Sequence, residues 1–229
     1  MRLGAVLNRL RLAALLLTLT APLAAAEPVI LVLGDSLSSG YGIELAHSWV
    51  NLLQQRLQTQ GYPHRVVNAS ISGDTSTGGR SRLPAALAQH RPDIVILELG
   101  GNDGLRGLPL EVVKSNLAAM IESAHQAGAQ VLLAEMRIPP NYGPRYTEKF
   151  QALYGELARQ YDVPLIPFLL DGVAAQPGMM QEDGIHPTAA AQMRIVDNVW
   201  KVLEPLLENR DSYSSTTNRT RGLTAHSSS

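Results

Sequence analysis

The sequence predicts an α/β fold, a parallel sheet covered on both faces by helices, and two observations predict it. Five short apolar, β-branched-rich runs recur along the chain, at 29–33, 66–68, 94–99, 131–134 and 164–166. Between them the apolar residues fall at helical spacing. Short apolar strands alternating with helices form parallel βαβ units whose strands are buried on both sides. The helical segments are read from Trp49, Leu52, Leu53, Arg56 and Leu57, and from Val112, Val113, Leu117, Met120 and Ile121. Phe150, Leu153, Leu157 and Tyr161 mark another, and Met193, Val196, Val199 and Trp200 close the domain. Gly61 and Gly128 fall just after two of these patterns, where a left-handed cap is expected.

The ends of the chain differ from its middle. Arg2, Arg9 and Arg11 precede the apolar stretch 12–19, which is followed by Pro22 and Ala24-Ala25-Ala26. This is the pattern of a secretory signal peptide over 1–26, cut after Ala26. The apolar stretch is well short of the roughly 20 residues that span a bilayer, so no stable membrane anchor is expected. The mature protein is expected in the periplasm or secreted. From Asn209 onward the chain is rich in Ser, Thr, Asn and Arg with almost nothing apolar. Such a segment cannot bury enough surface to offset its ordering entropy, so 208–229 reads as a disordered polar tail. The folded unit is then 27–207, one domain with room for a full core.

The chain has no cysteine, which excludes disulfides and acylation of a lipoprotein cysteine. Its formal charge is −1, and loss of the three leader arginines leaves about −4 by the same count. That mild acidity gives no electrostatic reason for a nucleic-acid partner. A monomer acting on a small molecule is expected. No P-loop or dinucleotide fingerprint occurs, so no cofactor is implied.

Four polar segments each follow an apolar run: Gly34-Asp35-Ser36-Leu37-Ser38, Ser72-Gly73-Asp74, Gly100-Gly101-Asn102-Asp103 and Asp183-Gly184-Ile185-His186-Pro187. In open α/β sheets, ligands bind beyond the carboxyl ends of the strands, so all four point to one edge. Together they supply the parts for acyl transfer through a serine ester. Ser36 is the candidate nucleophile; a lone serine there would read as a helix N-cap. Ser38 stands where G-x-S-x-G needs its second glycine, so the α/β-hydrolase nucleophile elbow is absent. His186 can take the serine proton, and Asp183, three residues before it, can hold the ring in the right tautomer. Taken alone, that pair could equally be a solvated turn. Asn102 offers a side-chain NH2 and Gly73 an unhindered backbone N–H; with the Ser36 N–H these make three oxyanion donors. Each also has a plainer reading as a turn residue. Asp35, Asp74 and Asp103 read as caps or loop pins, and His47, His64, His90, His125 and His226 as surface residues.

The four blocks resemble those of the SGNH (GDSL-type) hydrolases, whose blocks carry Ser, Gly, Asn and His. The resemblance is strongest to the bacterial periplasmic thioesterase I, lysophospholipase and arylesterase subgroup. It rests on the segments above, extended by Asn68-Ala69-Ser70-Ile71, Glu98-Leu99 and Gly104-Leu105-Arg106-Gly107, and on Pro139-Pro140-Asn141-Tyr142-Gly143. It covers essentially all of 27–207. It implies a flavodoxin-like, three-layer α/β/α fold with a five-stranded parallel sheet. It also implies the triad Ser36, Asp183 and His186, and the oxyanion hole of Ser36, Gly73 and Asn102. In that subgroup the loop after the asparagine adjusts to the acyl chain. Leu105 and Leu108, with Pro139, Tyr142 and Ile185, are therefore the candidate substrate-binding residues. The substrates implied are acyl esters and thioesters: lysophospholipids, aryl esters and acyl-CoA. No metal is needed.

Two other classes compete with a serine hydrolase. Asp35, Asp74, Asp103, Asp183 and His186 lie at strand ends and could hold a divalent cation for phosphoester cleavage. A non-catalytic exported binding module is the other, and it leaves the Ser, Asn and Asp-x-x-His set as coincidence.

Overall fold

The computed structural model describes residues 27–174 and 176–223, with side chains as far as Glu208. Residues 1–26, where the sequence leads us to expect a leader, and 224–229 lie outside them. In chain order the elements are β1 (Val29–Gly34), α1 (Ser36–Ser39), α2 (Trp49–Thr59), β2 (Arg65–Asn68), α3 (Ser76–His90), β3 (Ile94–Glu98), α4 (Gly101–Leu105), α5 (Leu110–Gln126), β4 (Gln130–Ala134), α6 (Pro144–Tyr161), β5 (Leu165–Ile166) and α7 (Gln192–Leu223). The strands form one parallel sheet in the order β2-β1-β3-β4-β5. α2 and α7 pack together on one face, and α3, α5 and α6 on the other, giving the expected three layers.

The strands are where the apolar runs predict them. β1 and β3 are buried from end to end, because each has a strand on both sides and helices on both faces. β2 is an edge strand, so Arg65 and Asn68 are exposed. Gly61 and Gly128 adopt φ of 81° and 83° and end α2 and α5. The Tyr62 N–H then reaches back to Leu57 and the Ala129 N–H to Ala124, closing each last turn as a left-handed cap does.

The chain leaves β1 toward β2 on one side and returns to β3 on the other. That reversal opens a crevice beyond the carboxyl ends of β1 and β3, the usual ligand position in such sheets. Gly34 and Glu98, the last residues of these strands, face each other in register. Ser36 and Asn102 follow them on α1 and α4, so the topology alone brings these two to the same crevice.

Two features depart from the sequence reading. α3 carries no clear apolar stripe, because Gly78, Gly79 and Pro84 interrupt it. Gly79 is needed for packing: a Cβ there would run into the Leu99 side chain, so the helix lies close against the end of β3. His64 is buried, not on the surface. α7 runs to Leu223. Leu203 and Leu207 are the last buried side chains described on this helix. Past them each added residue gains a hydrogen bond without a new nucleation cost. Among the described residues no helix is long and apolar enough to cross a membrane.

Candidate active site

Ser36 opens α1 directly beyond β1, and Asp35 caps that helix, its Oδ1 accepting from the Leu37 N–H at 3.1 Å. The Ser36 Oγ lies 2.9 Å from Nε2 of His186. On the far side of the ring, Nδ1 is 2.6 Å from Oδ2 of Asp183. The other oxygen of Asp183 accepts the N–H groups of Ile185 and His186 at 2.9 and 3.0 Å, so one tight turn fixes carboxylate and ring together. Those donors hold the Asp183 carboxyl below its ordinary range, at about 2. The His186 backbone N–H contributes most, then its ring, then the Ile185 N–H. An ionised Asp183 keeps the proton on Nδ1, which leaves the Nε2 lone pair facing the serine hydroxyl.

Gln181 ties this turn down. Its N–H donates to the His186 carbonyl at 2.8 Å, and its side-chain amide donates to the carbonyls of Tyr41 and Pro187 at 2.9 and 3.0 Å. The Tyr41 ring covers His186, with centroids 4.4 Å apart. No sequence signal marked Gln181 or Tyr41, since neither belongs to the four segments.

The donor side is built by two other elements. The turn from Ile71 to Asp74 closes with the Asp74 N–H on the Ile71 carbonyl at 3.1 Å, and Gly73 occupies its third position with φ 77°. That position needs positive φ, which glycine takes without strain. The Arg106 guanidinium donates to the Gly73 carbonyl at 3.1 Å. Asn102 donates one N–H of its amide to Asp35 Oδ2 at 3.0 Å. An amide NH2 has two such hydrogens, so one remains for a ligand.

Asp35 and Glu98 lie beneath the crevice. Asp35 is almost fully buried, and that burial pushes its carboxyl up to about 6 despite the Leu37 and Asn102 donors. Glu98 is wholly buried and is pushed well above the ordinary carboxylate range, by burial first and by Asp35 second. Sequence reasoning took Asp35 as a cap or loop pin, or in the competing reading as a cation ligand, and gave Glu98 no role of its own. The available signal was a glutamate ending a run of apolar strand residues.

The other carboxylates are committed elsewhere. Asp103 accepts the Ser76 N–H and hydroxyl at 2.8 and 2.6 Å, and Asp74 pairs with Arg82 Nε at 2.7 Å. Among the described residues no three His, Asp or Glu side chains converge as a metal-holding group. Beside the crevice, the Tyr142 hydroxyl donates to the Leu105 carbonyl at 2.7 Å and the Tyr146 hydroxyl to the Leu108 carbonyl at 2.9 Å. The 105–108 and 139–146 segments are thereby strapped together. Leu105 and Leu108 are half-buried; Pro139, Tyr142 and Ile185 are exposed.

A hydroxyl bonded to an imidazole that a carboxylate orients is equipped for nucleophilic attack. Residues 32–194 match the model of the GDSL-like lipase/acylhydrolase family. The chain belongs to that family. Among its members, the Pseudomonas aeruginosa protein named esterase TesA is 55% identical over 183 residues, 80% of this chain and 91% of that one. Thioesterase 1/protease 1/lysophospholipase L1 of Escherichia coli K12 is 48% identical over 189 residues, 82% and 89% of the two chains. Among solved structures, the psychrotrophic esterase EstA from a Pseudoalteromonas species, inhibited by monoethylphosphonate, superposes with a TM-score of 0.76. It is 39% identical and covers 79% of this chain and 98% of its own.

The turn that carries Asp183 and His186 makes a pH prediction. A carboxyl held at about 2 loses its charge only as pH falls through that value, so Asp183 stays ionised wherever the enzyme is assayed. Its side-chain carbonyl 13C resonance should show no transition between about pH 4 and 8, the interval in which an ordinary aspartate finishes titrating. Asp183→Asn should lower kcat by up to about 10⁴-fold through the wrong tautomer. Turnover near wild type would mean that another carboxylate orients the ring.

Proposed function

We propose that this protein hydrolyses acyl esters and thioesters through an acyl-serine intermediate, with Ser36 as nucleophile. The observation that carries the reading is the continuous chain Ser36 Oγ–His186–Asp183, with links of 2.9 and 2.6 Å. His186 Nε2 takes the Ser36 proton as Oγ attacks the carbonyl carbon. The Ser36 N–H, the Gly73 N–H and the free N–H of Asn102 receive the negative charge that develops on the carbonyl oxygen. His186 then gives the proton to the departing alkoxide or thiolate, which leaves the acyl group on Ser36. A water attacks that ester and loses a proton to His186, which returns it to Ser36 Oγ as the carboxylic acid departs. No step uses a metal or a cofactor.

The substrate class follows from the neighbours of the crevice and from the relatives' names, which include thioesterase and lysophospholipase. The strapped 105–108 and 139–146 loops supply Leu105, Leu108, Pro139 and Tyr142, and Ile185 stands beside His186; these are the residues we assign to the acyl chain. The domain is 27–207, exported behind the cleaved leader 1–26 and active as a monomer. An exported enzyme meets few acyl-CoA molecules, so lysophospholipids and other lipid esters are the proposed physiological substrates.

A fluorophosphonate should add its mass to the peptide containing Ser36, and Ser36→Ala should lower kcat by roughly 10⁴–10⁶ with affinity nearly intact. A label on Ser70 or Ser72 would overturn the assignment.

Acyl selection has its own test. Each methylene buried in the groove contributes up to about 0.8 kcal/mol, so a few carbons separate long from short esters. Leu108→Asp should reduce kcat/KM for octanoyl or longer esters far more than for acetyl esters, which serve as the internal control. An equal loss for both would mean that this loop supports the catalytic geometry and does not line the groove.

A further inference from the structure

Glu98 is a buried titratable group that the acyl-transfer mechanism above does not use. It ends β3, opposite Gly34, and its side chain is wholly inaccessible to solvent. Oε2 accepts from the Ser38 hydroxyl at 2.5 Å and from the Asp35 N–H at 3.1 Å. Ser38 is itself fully buried. A Cβ on Gly34 would fall on Glu98 Oε2, so the strand carries a glycine where the carboxyl sits. Oε1 has no hydrogen-bond donor among the described residues.

A carboxylate placed this way would leave one charged oxygen bare in the interior, at a cost of several kcal/mol. A carboxylic acid would not, because the proton on Oε1 turns the bare acceptor into a donor. The neighbouring carboxyl is that of Asp35, whose backbone N–H bonds the other Glu98 oxygen and whose charge, after burial, raises the Glu98 acid further. Asp35 is the better site for the charge, since its two oxygens already accept from the Leu37 N–H and from Asn102. The remaining ionisable groups around the pair agree with this. Tyr154 of α6 feels both carboxyls, and its hydroxyl is pushed well above its ordinary range by burial first, then by Asp103, Glu98, Asp35 and Glu135. His186 acts on Asp35 from the crevice. Arg82 of α3 reaches the same corner through the Gly34 carbonyl at 3.1 Å, but Asp74 already neutralises it.

We propose that Glu98 is a positioning residue for the oxyanion hole: an un-ionised acid that holds Asp35 by its backbone N–H, so that the Asp35 carboxylate aims the Asn102 amide at the substrate oxygen. The chain runs from the Glu98 acid to Asp35 to the Asn102 N–H, and it ends on the hydrogen that meets the oxyanion. Neutral Glu98 also leaves a single negative charge behind the hole. Two ionised carboxylates there would oppose the developing oxyanion. The inference rests on the ester-hydrolase reading of Ser36 and Asn102.

Three measurements on the mature protein test it. The infrared difference spectrum of wild type against Glu98→Gln at pH 7 should contain a protonated-carboxyl C=O band belonging to Glu98; a carboxylate band in its place overturns the proposal. Gln keeps the donor and acceptor of a neutral acid, so Glu98→Gln should retain kcat within about threefold. Glu98→Met, which removes both, should lower kcat on the order of 10²-fold at nearly constant KM, the scale of losing one oxyanion donor. In an Asn102→Ala background the further loss from Glu98→Met should shrink below about threefold, because both changes remove the same interaction. An undiminished loss there, or a Gln variant as slow as the Met variant, overturns the proposal. Should Glu98→Met fail to fold, the infrared band and the Gln variant decide the matter. The infrared readout needs no substrate, so it fails or succeeds separately from the hydrolase reading.

Discussion

The pairing of β1 with β3 governs the rest of the site. The two strands run parallel and in register to Gly34 and Glu98, and the chain then leaves each through a short polar turn. Ser36 lies two residues beyond one end and Asn102 four beyond the other, so strand register sets their separation. The same two chain ends are joined below by buried groups: Glu98 to the Asp35 N–H, Asp35 to Asn102, and Ser38 to Glu98. A slip of register would turn Glu98 to the opposite face of the sheet and remove the partners of Asp35 and Ser38 together. Gly73, the third proposed donor, comes from the edge side of β1, where the Ile71 N–H holds the Gly34 carbonyl at 3.1 Å.

Two aspartates at this site carry opposite protonation tendencies, and environment alone separates them. Asp183 is largely exposed and receives three donors from His186 and Ile185, which favours its charge. Asp35 is buried beside a second carboxyl, which disfavours charge on the pair. The exposed carboxylate is thereby suited to supporting a transient imidazolium. The buried pair can hold one proton and keep negative charge low beneath the oxyanion. Divergent environments for like groups are the general means by which acid and base roles are assigned in active sites.

The fold was legible because its signals are local. Apolar runs such as 29–33 and 94–99 are strands since a buried central strand must be apolar on both faces, and Gly61 and Gly128 mark helix ends since both sit at positive φ. The candidate residues were legible as a set of segments after strands, and Ser36, Asp183 and His186 do meet through hydrogen bonds. α3 was not legible, because Gly79 is chosen by its close approach to Leu99 and not by helix propensity. Asp35 and Glu98 were read as a cap and as part of a motif, since burial and the contact of one carboxyl with another arise only from tertiary packing. Gln181 and Tyr41 lie 140 residues apart and are joined by a side-chain-to-carbonyl bond that no pattern announces.

The central claim is that one substrate oxygen is received jointly by the Ser36 N–H, the Gly73 N–H and an Asn102 amide held from behind by Asp35. A crystal structure of the protein after reaction with a small alkyl phosphonate tests it most directly, since the tetrahedral phosphorus mimics the acyl-transfer intermediate. The account predicts phosphorus bonded to Ser36 Oγ, with one of its oxygens about 2.7–3.1 Å from all three donors and Asn102 still bonded to Asp35. Phosphorus on any other residue, or an oxygen turned away from Asn102, would contradict it.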